Sequence, residues 1–186
     1  MVDRDPASGI QRRVAGAHNV RMEGLYDLIL RARGMSVFDV GCNRGMVGYE
    51  FANNGARLVH GCDSYDKGIE TAREVFSDIR TVQSKFEIVD LSKGPDALRK
   101  AFGQGQYDLV LLLAIVHKLK RIMTDENLRA LMVFLGRWAT KYVAGHVKED
   151  EFKLLDECME QAGLVRIHTS FISEEGGPGL IWKRVK

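Results

Sequence analysis

Two histidines, two aspartates and one glycine-containing turn are the residues of this chain whose types and spacing suit joint chemistry. His117 and His146 each stand at or just past the end of an apolar run. An imidazole titrates near neutrality, so either suits a general base that takes a proton from a nucleophile. Asp63 closes the run Leu58-Val59-His60-Gly61-Cys62-Asp63 and lies 22 positions after Gly41. An acid at that spacing behind a glycine turn can accept both hydroxyls of a ribose. Asp90 follows Phe86-Glu87-Ile88-Val89 in the same way. The turn itself is Val37-Phe38-Asp39-Val40-Gly41-Cys42-Asn43-Arg44-Gly45: a buried strand opening into a helix through glycines, which lets the backbone come close to a bound nucleoside.

These residues converge only if the elements around them alternate. Strands are predicted at 37–40, 58–63, 86–89, 107–113, 142–147, 164–171 and 180–185. Helices are predicted at 21–33, 45–53, 67–79, 95–102, 125–138 and 150–161. Ile69, Ala72, Val75, Phe76 and Ile79 recur at helical spacing, Pro95 suits a first turn, and Thr124 suits an N-cap. The run Tyr107-Asp108-Leu109-Val110-Leu111-Leu112-Leu113 reads as a central parallel strand covered on both faces. Strand–helix alternation implies a doubly wound α/β sheet with right-handed crossovers. A tight turn at Glu175-Gly176-Gly177-Pro178-Gly179 pairs the last two strands antiparallel. Ligands of such sheets bind beyond the carboxyl ends of the strands, where Asp39, Asp63, Asp90 and Leu113 fall.

The turn does not match the dinucleotide fingerprint Gly-x-Gly-x-x-Gly. Counted from Gly41, the second glycine position holds Asn43 and the third Met46, while the next glycine comes early at Gly45. The pattern Asp-x-Gly-x-Asn-x-Gly resembles motif I of the class I S-adenosylmethionine (SAM)-dependent methyltransferases. Gly61 to Asp66 resembles their second motif, Asp90-Leu91 their third, and 107–113 their fourth. The resemblance covers residues 21–186 and implies a seven-stranded sheet of order 3-2-1-4-5-7-6 with its last strand antiparallel. It also implies SAM as the cofactor. Asp39, Gly41, Cys42, Asn43 and Gly45 would lie on its methionine and sugar, Asp63 and Ser64 at the ribose, Asp90 and Leu91 at the adenine, and Leu113 near the reacting end. A helix cap accounts equally well for Ser64 or Asp66, and a solvated turn for Asp90. Asn43 stands where the family more often has glycine, and asparagine tolerates positive φ better than most residues.

In this fold the residues just past strand four, here Ala114-Ile115-Val116-His117-Lys118-Leu119, face the methyl group. His117 would act as base, with His146 beside it; the plain alternative is two polar residues packed near the cofactor. Motif IV lacks an Asn-Pro-Pro-Tyr or Asp-Pro-Pro-Tyr run and the chain lacks a Pro-Cys nucleophile, which argues against methylation of adenine amines, glutamine amides or cytosine carbons. The expected reaction is methyl transfer to an O or N nucleophile of a small molecule or an exposed RNA or sugar group. A non-catalytic SAM-binding or partner-regulating module is the alternative.

With 186 residues, 45% hydrophobic and 28% charged, the chain suits one soluble domain. Its net charge of +2 gives no electrostatic case for nucleic acid, so a small acceptor is favoured over RNA. The longest apolar run is too short to span a bilayer and the first residues lack a signal-peptide core, so a cytoplasmic location without membrane association is expected. Cys42, Cys62 and Cys158 form no C-x-x-C pair. Cys42 and Cys62 read as small buried thiols, a metal or redox pair being the less ordinary reading; no metal site is expected. Residues 1–20, with Arg4, Arg12 and Arg13, read as an arm that could cover the substrate. The sequence does not set the oligomeric state.

Overall fold

The computed structural model describes residues 2–4, 11–13, 22, 24–170 and 178–185. Most of the expected lid, residues 1–20, lies outside them. Within it, Val2–Arg4 and Gln11–Arg13 pair antiparallel.

The main sheet has seven strands: β1 (Ser36–Val40), β2 (Leu58–Asp63), β3 (Gln83–Ile88), β4 (Tyr107–Leu113), β5 (Ala139–His146), β6 (Leu164–Thr169) and β7 (Gly179–Arg184). Their spatial order is 3-2-1-4-5-7-6, as the resemblance implied. The first five strands run parallel, and β7 pairs antiparallel with both β5 and β6. The helices are α1 (Tyr26–Leu30), α2 (Met46–Asn53), α3 (Asp66–Ser77), α4 (Pro95–Phe102), α5 (Val116–Leu119), α6 (Asp125–Trp138) and α7 (Phe152–Gln161).

Strand alternation divides the core into two layers. Leu109, Leu111 and Leu113 of β4 join Val37, Phe51, Ile69 and Phe76 on one face. Val110 and Leu112 join Phe38, Leu98, Leu128, Leu131 and Leu155 on the other. Successive strand residues point to opposite faces, so a strand buried on both sides must be apolar at every position. That is the reason the Leu-Val run of β4 lies at the centre.

Element boundaries depart from expectation where the sheet is least buried. β3 begins three residues early, at Gln83, because its first three residues are exposed and carry no hydrophobic signal. β5 begins at Ala139, directly after α6, with no intervening loop. Within the expected first helix, 21–33, α1 spans Tyr26–Leu30, and Gly24 before it adopts φ 75°, off the helical path. β6 ends at Thr169, and Phe171 lies outside the described residues. The four-residue α5 has no sequence signal of its own.

Polar clamps hold the frame. At the amino edge, Asp108 accepts from the Ser36 amide at 2.9 Å and hydroxyl at 3.1 Å, and pairs with Lys141 at 3.0 Å, tying β1, β4 and β5 together. At the far side, the Arg184 guanidinium donates to the carbonyls of Gly136 (2.6 Å), Ala139 (2.7 Å) and Ala162 (2.6 Å). It thus adds donors where helix carbonyls run short of them, at the ends of α6 and α7; the Gly136 carbonyl also accepts the Ala139 amide. Thr124 Oγ1 caps α6 by accepting the Asn127 amide at 3.3 Å, and Pro95 opens α4.

Candidate functional site

The β1–α2 turn is built from alternating left-handed residues: Gly41 at φ 77°, Asn43 at φ 51° and Gly45 at φ 72°. Glycine reaches this region at no steric cost and asparagine at little, so Asn43 preserves the turn. The amides of Gly41 and Cys42 both donate to the Cys62 carbonyl, at 2.8 and 3.0 Å, stitching the turn to β2. A Cβ on Gly41 would lie 2.9 Å from Ile115 Cδ1, so Ile115, two residues past β4, rests directly on the glycine.

Asp63 ends β2 and completes the turn. Its Oδ2 accepts the Asn43 amide at 2.8 Å and its Oδ1 the Tyr65 amide at 3.0 Å. A carboxylate offers about four acceptor positions, so about two remain for a ligand. Two is the number a ribose diol requires.

Gly41, Asp63, Ser64, Val89, Asp90, Leu91 and Ile115 come together around a cleft of about 150 Å³ beyond the carboxyl ends of the strands. That is below the roughly 300–1,000 Å³ usual for a whole small-molecule site, and suits one ring system of a larger ligand. Ser64 does not cap α3, whose N-cap is Tyr65 without a side-chain bond; it is exposed and lines the cleft. Asp90 accepts the amide and hydroxyl of Ser92 at 3.0 and 2.6 Å, and these bonds hold its carboxyl below the usual range. It caps the turn Leu91–Lys93, while Leu91 is buried against the cleft.

Other expected residues take different places. Asp39 is buried in β1, below the turn. Cys42 turns its side chain inward, so that a Cβ on Gly61 would lie 2.9 Å from its Sγ, and burial pushes its thiol pKa upward. All three cysteines are free and buried. Gly45 starts α2 and abuts Ala72 of α3, where an added Cβ would stand 3.0 Å away. Leu113 packs into the core layer rather than the cleft. Among the described residues, no three His, Cys, Asp or Glu side chains group as metal ligands would.

Ile115, Lys118 and Leu119, from the stretch expected to face the methyl group, line the floor of the cleft together with Ile122, which was not foreseen. Ile122 carries little signal because it follows α5, a single turn. The same turn sets His117 half-buried, near Glu151 and Lys148 of the segment after β5. Burial lowers the His117 pKa; Lys148, Lys118 and Arg121 lower it further, and Glu151 opposes them. His146 is buried at the end of β5, opposite Leu113 of β4. Glu151, only 2% exposed, accepts the Lys148 amide at 3.0 Å. It too was not foreseen, since a glutamate in an acidic run reads as a solvated face.

No family model and no curated protein matches the sequence. Solved structures match the fold. A magnesium protoporphyrin IX methyltransferase from Synechocystis PCC 6803, with bound SAM, superimposes with a TM-score of 0.65 at 19% identity, over 94% of this chain and 86% of that one. A TehB-like SAM-dependent methyltransferase from Corynebacterium glutamicum gives 0.62 at 16% identity, over 85% and 87%. A putative RNA methyltransferase from Pyrococcus horikoshii gives 0.62 at 14% identity, over 85% and 80%. The fold is that of the class I methyltransferases.

Proposed function

We propose that this chain is a SAM-dependent methyltransferase acting on an O or N nucleophile of a small molecule or an exposed RNA or sugar group. The observation that carries the reading is Asp63: a carboxylate at the end of β2, oriented by two backbone amides, with acceptor capacity left over at the wall of a ring-sized cleft. The likeness to structures of SAM-dependent enzymes supports it.

The residues present fit the cofactor. Asp63 would take the ribose hydroxyls, Leu91 and Ile115 would enclose the adenine, and the Gly41–Gly45 turn would carry the sugar and methionine. SAM, when bound, supplies an electrophilic methyl group on a sulfonium. The chain's own part is to hold the acceptor in line and to remove its proton. His117 would take that proton: its lowered pKa keeps the ring neutral at pH 7, as a base must be. His146, deeper and at the end of β5, would orient the acceptor.

Residues 1–20 would cover the acceptor. Gly24 lies against Ser170 and Gly179, and Gly179 pairs with His146, which puts Gly24 at this end of the sheet. No helix among the described residues is long and apolar enough to cross a membrane.

The test is calorimetric titration with SAM, followed by incubation with methyl-labelled SAM and fractionated small-molecule and RNA pools. Micromolar binding and label in one pool would support the reading. Absence of SAM binding by the folded protein would end it. Binding without label in any pool would leave only a cofactor-binding module.

A further inference from the structure

A second cleft, larger than the first, lies away from this site. It measures about 660 Å³, within the usual range for a small-molecule site, and is lined by α4, α6, the loop into β4 and the end of α7. Gln106 immediately precedes β4 and Trp138 immediately precedes β5, so the cleft sits at the amino edge of the sheet, opposite the candidate active site.

Its lining has one sign of charge. Arg99, Arg129 and Arg137 contribute guanidinium groups, three glutamines contribute amides, and no carboxylate lines it. Asp96 engages one terminal nitrogen of Arg99 at 2.7 Å, and Glu157 one of Arg129 at 2.7 Å. Each guanidinium has five N–H donors, so these single contacts leave most of them available. Arg137 is exposed and makes no ion pair among the described residues. Guanidinium groups match the oxygens of a phosphate in pairs, and neighbouring cations favour a dianion.

The cleft also has an apolar side. Val133, Phe134 and Trp138 line it, and Arg99 Cζ stands 4.7 Å from the Phe134 ring centroid. A guanidinium stacked on one aromatic ring offers a planar face to a second.

We propose that this cleft binds a phosphate monoester of a planar aromatic group, with the phosphate on the three arginines and the ring against Arg99, Phe134 and Trp138. The site stands whether or not SAM binds at the other end of the sheet.

The full chain, labelled with ¹⁵N, can be titrated with 1-naphthyl phosphate, 1-naphthol and inorganic phosphate. Naphthyl phosphate should move the Trp138 indole N–H and the Gly105 amide saturably, leaving Trp182, Gly41 and Gly45 in place. Arg137→Ala, a change on the surface, should weaken binding about tenfold or more, the usual size for a charged hydrogen bond. Arg137→Lys should recover only part. No saturable shift at millimolar ligand, or equal affinity in Arg137→Ala, would overturn the proposal. So would naphthol or inorganic phosphate binding as tightly as the ester, since one half of the site would then contribute nothing.

Discussion

The Asp63 carboxylate accepts the Asn43 amide at 2.8 Å, so the end of β2 and the β1–α2 turn form one unit. The residue expected to hold the ribose therefore also holds the loop that would carry the rest of the cofactor. Asp63→Ala should cost about 1–2 kcal/mol of stability through the unpaired amides of Asn43 and Tyr65, and weaken SAM about 100-fold or more through two lost charged hydrogen bonds. Asp63→Asn, with one acceptor oxygen, should fall between. Urea melts and calorimetry separate the two effects. Unchanged SAM affinity in a folded Asp63→Ala variant would remove the ribose assignment.

His117 should set the acid limb of activity. Burial and three nearby cations lower its pKa. A base works when neutral, so methyl transfer should hold at pH 7 and fall only below the ordinary histidine range. His117→Gln should reduce kcat about 100- to 10,000-fold, the usual contribution of a general base, with little change in SAM affinity. A pH–kcat profile for both proteins checks this; an acid limb that persists in the variant would assign the base elsewhere.

His60 should make stability fall in mild acid. Its Nδ1 lies 2.9 Å from the Tyr107 hydroxyl, and burial, helped by Lys85, lowers its pKa to about 4. The unfolded chain binds the proton near pH 6.5, before the native state does, so stability is lost as pH falls from about 6.5 towards about 4. At 1.36 kcal/mol per pKa unit, and with solvent contact of the half-buried ring, the loss should be about 1–3 kcal/mol. Urea midpoints at pH 7.5 and 5 should differ less in His60→Gln than in the native chain.

Arg184 should be among the most costly side chains to remove outside the apolar core. Three carbonyls, from the ends of two helices and the start of β5, accept from its fork. Arg184→Ala should cost about 2–4 kcal/mol, since buried acceptors lose their partners. Arg184→Lys should recover less than half, because an ammonium cannot reach three acceptors in one plane. Equilibrium urea unfolding measures both; a loss below the scatter of surface substitutions would mean that water replaces the fork.

Much of the fold was legible because its signals are local. The all-apolar run of β4, the left-handed turn at Gly41, Asn43 and Gly45, the Thr124 cap and Pro95 each act within a few residues. β3 was legible only in part, since an exposed edge strand does not need the hydrophobic alternation by which strands are read. Glu151 illustrates a second limit: an acidic run reads as a solvated face, but burial depends on neighbours brought from elsewhere.

The sequence by itself determined the order of strands and helices, the turn after β1 and the acid after β2, because backbone preference, period and capping are properties of adjacent residues. Tertiary structure decided the rest. Crossover connections brought Asn43 to Asp63, set Ile115 on Gly41 and Lys118 in the cleft floor, and placed Glu151 near His117. They also gathered arginines from α4 and α6 around one cleft at the far edge. Hydrogen-bond reach, steric contact and shared charge act over a few ångströms of space, and only the folded chain makes those distances short.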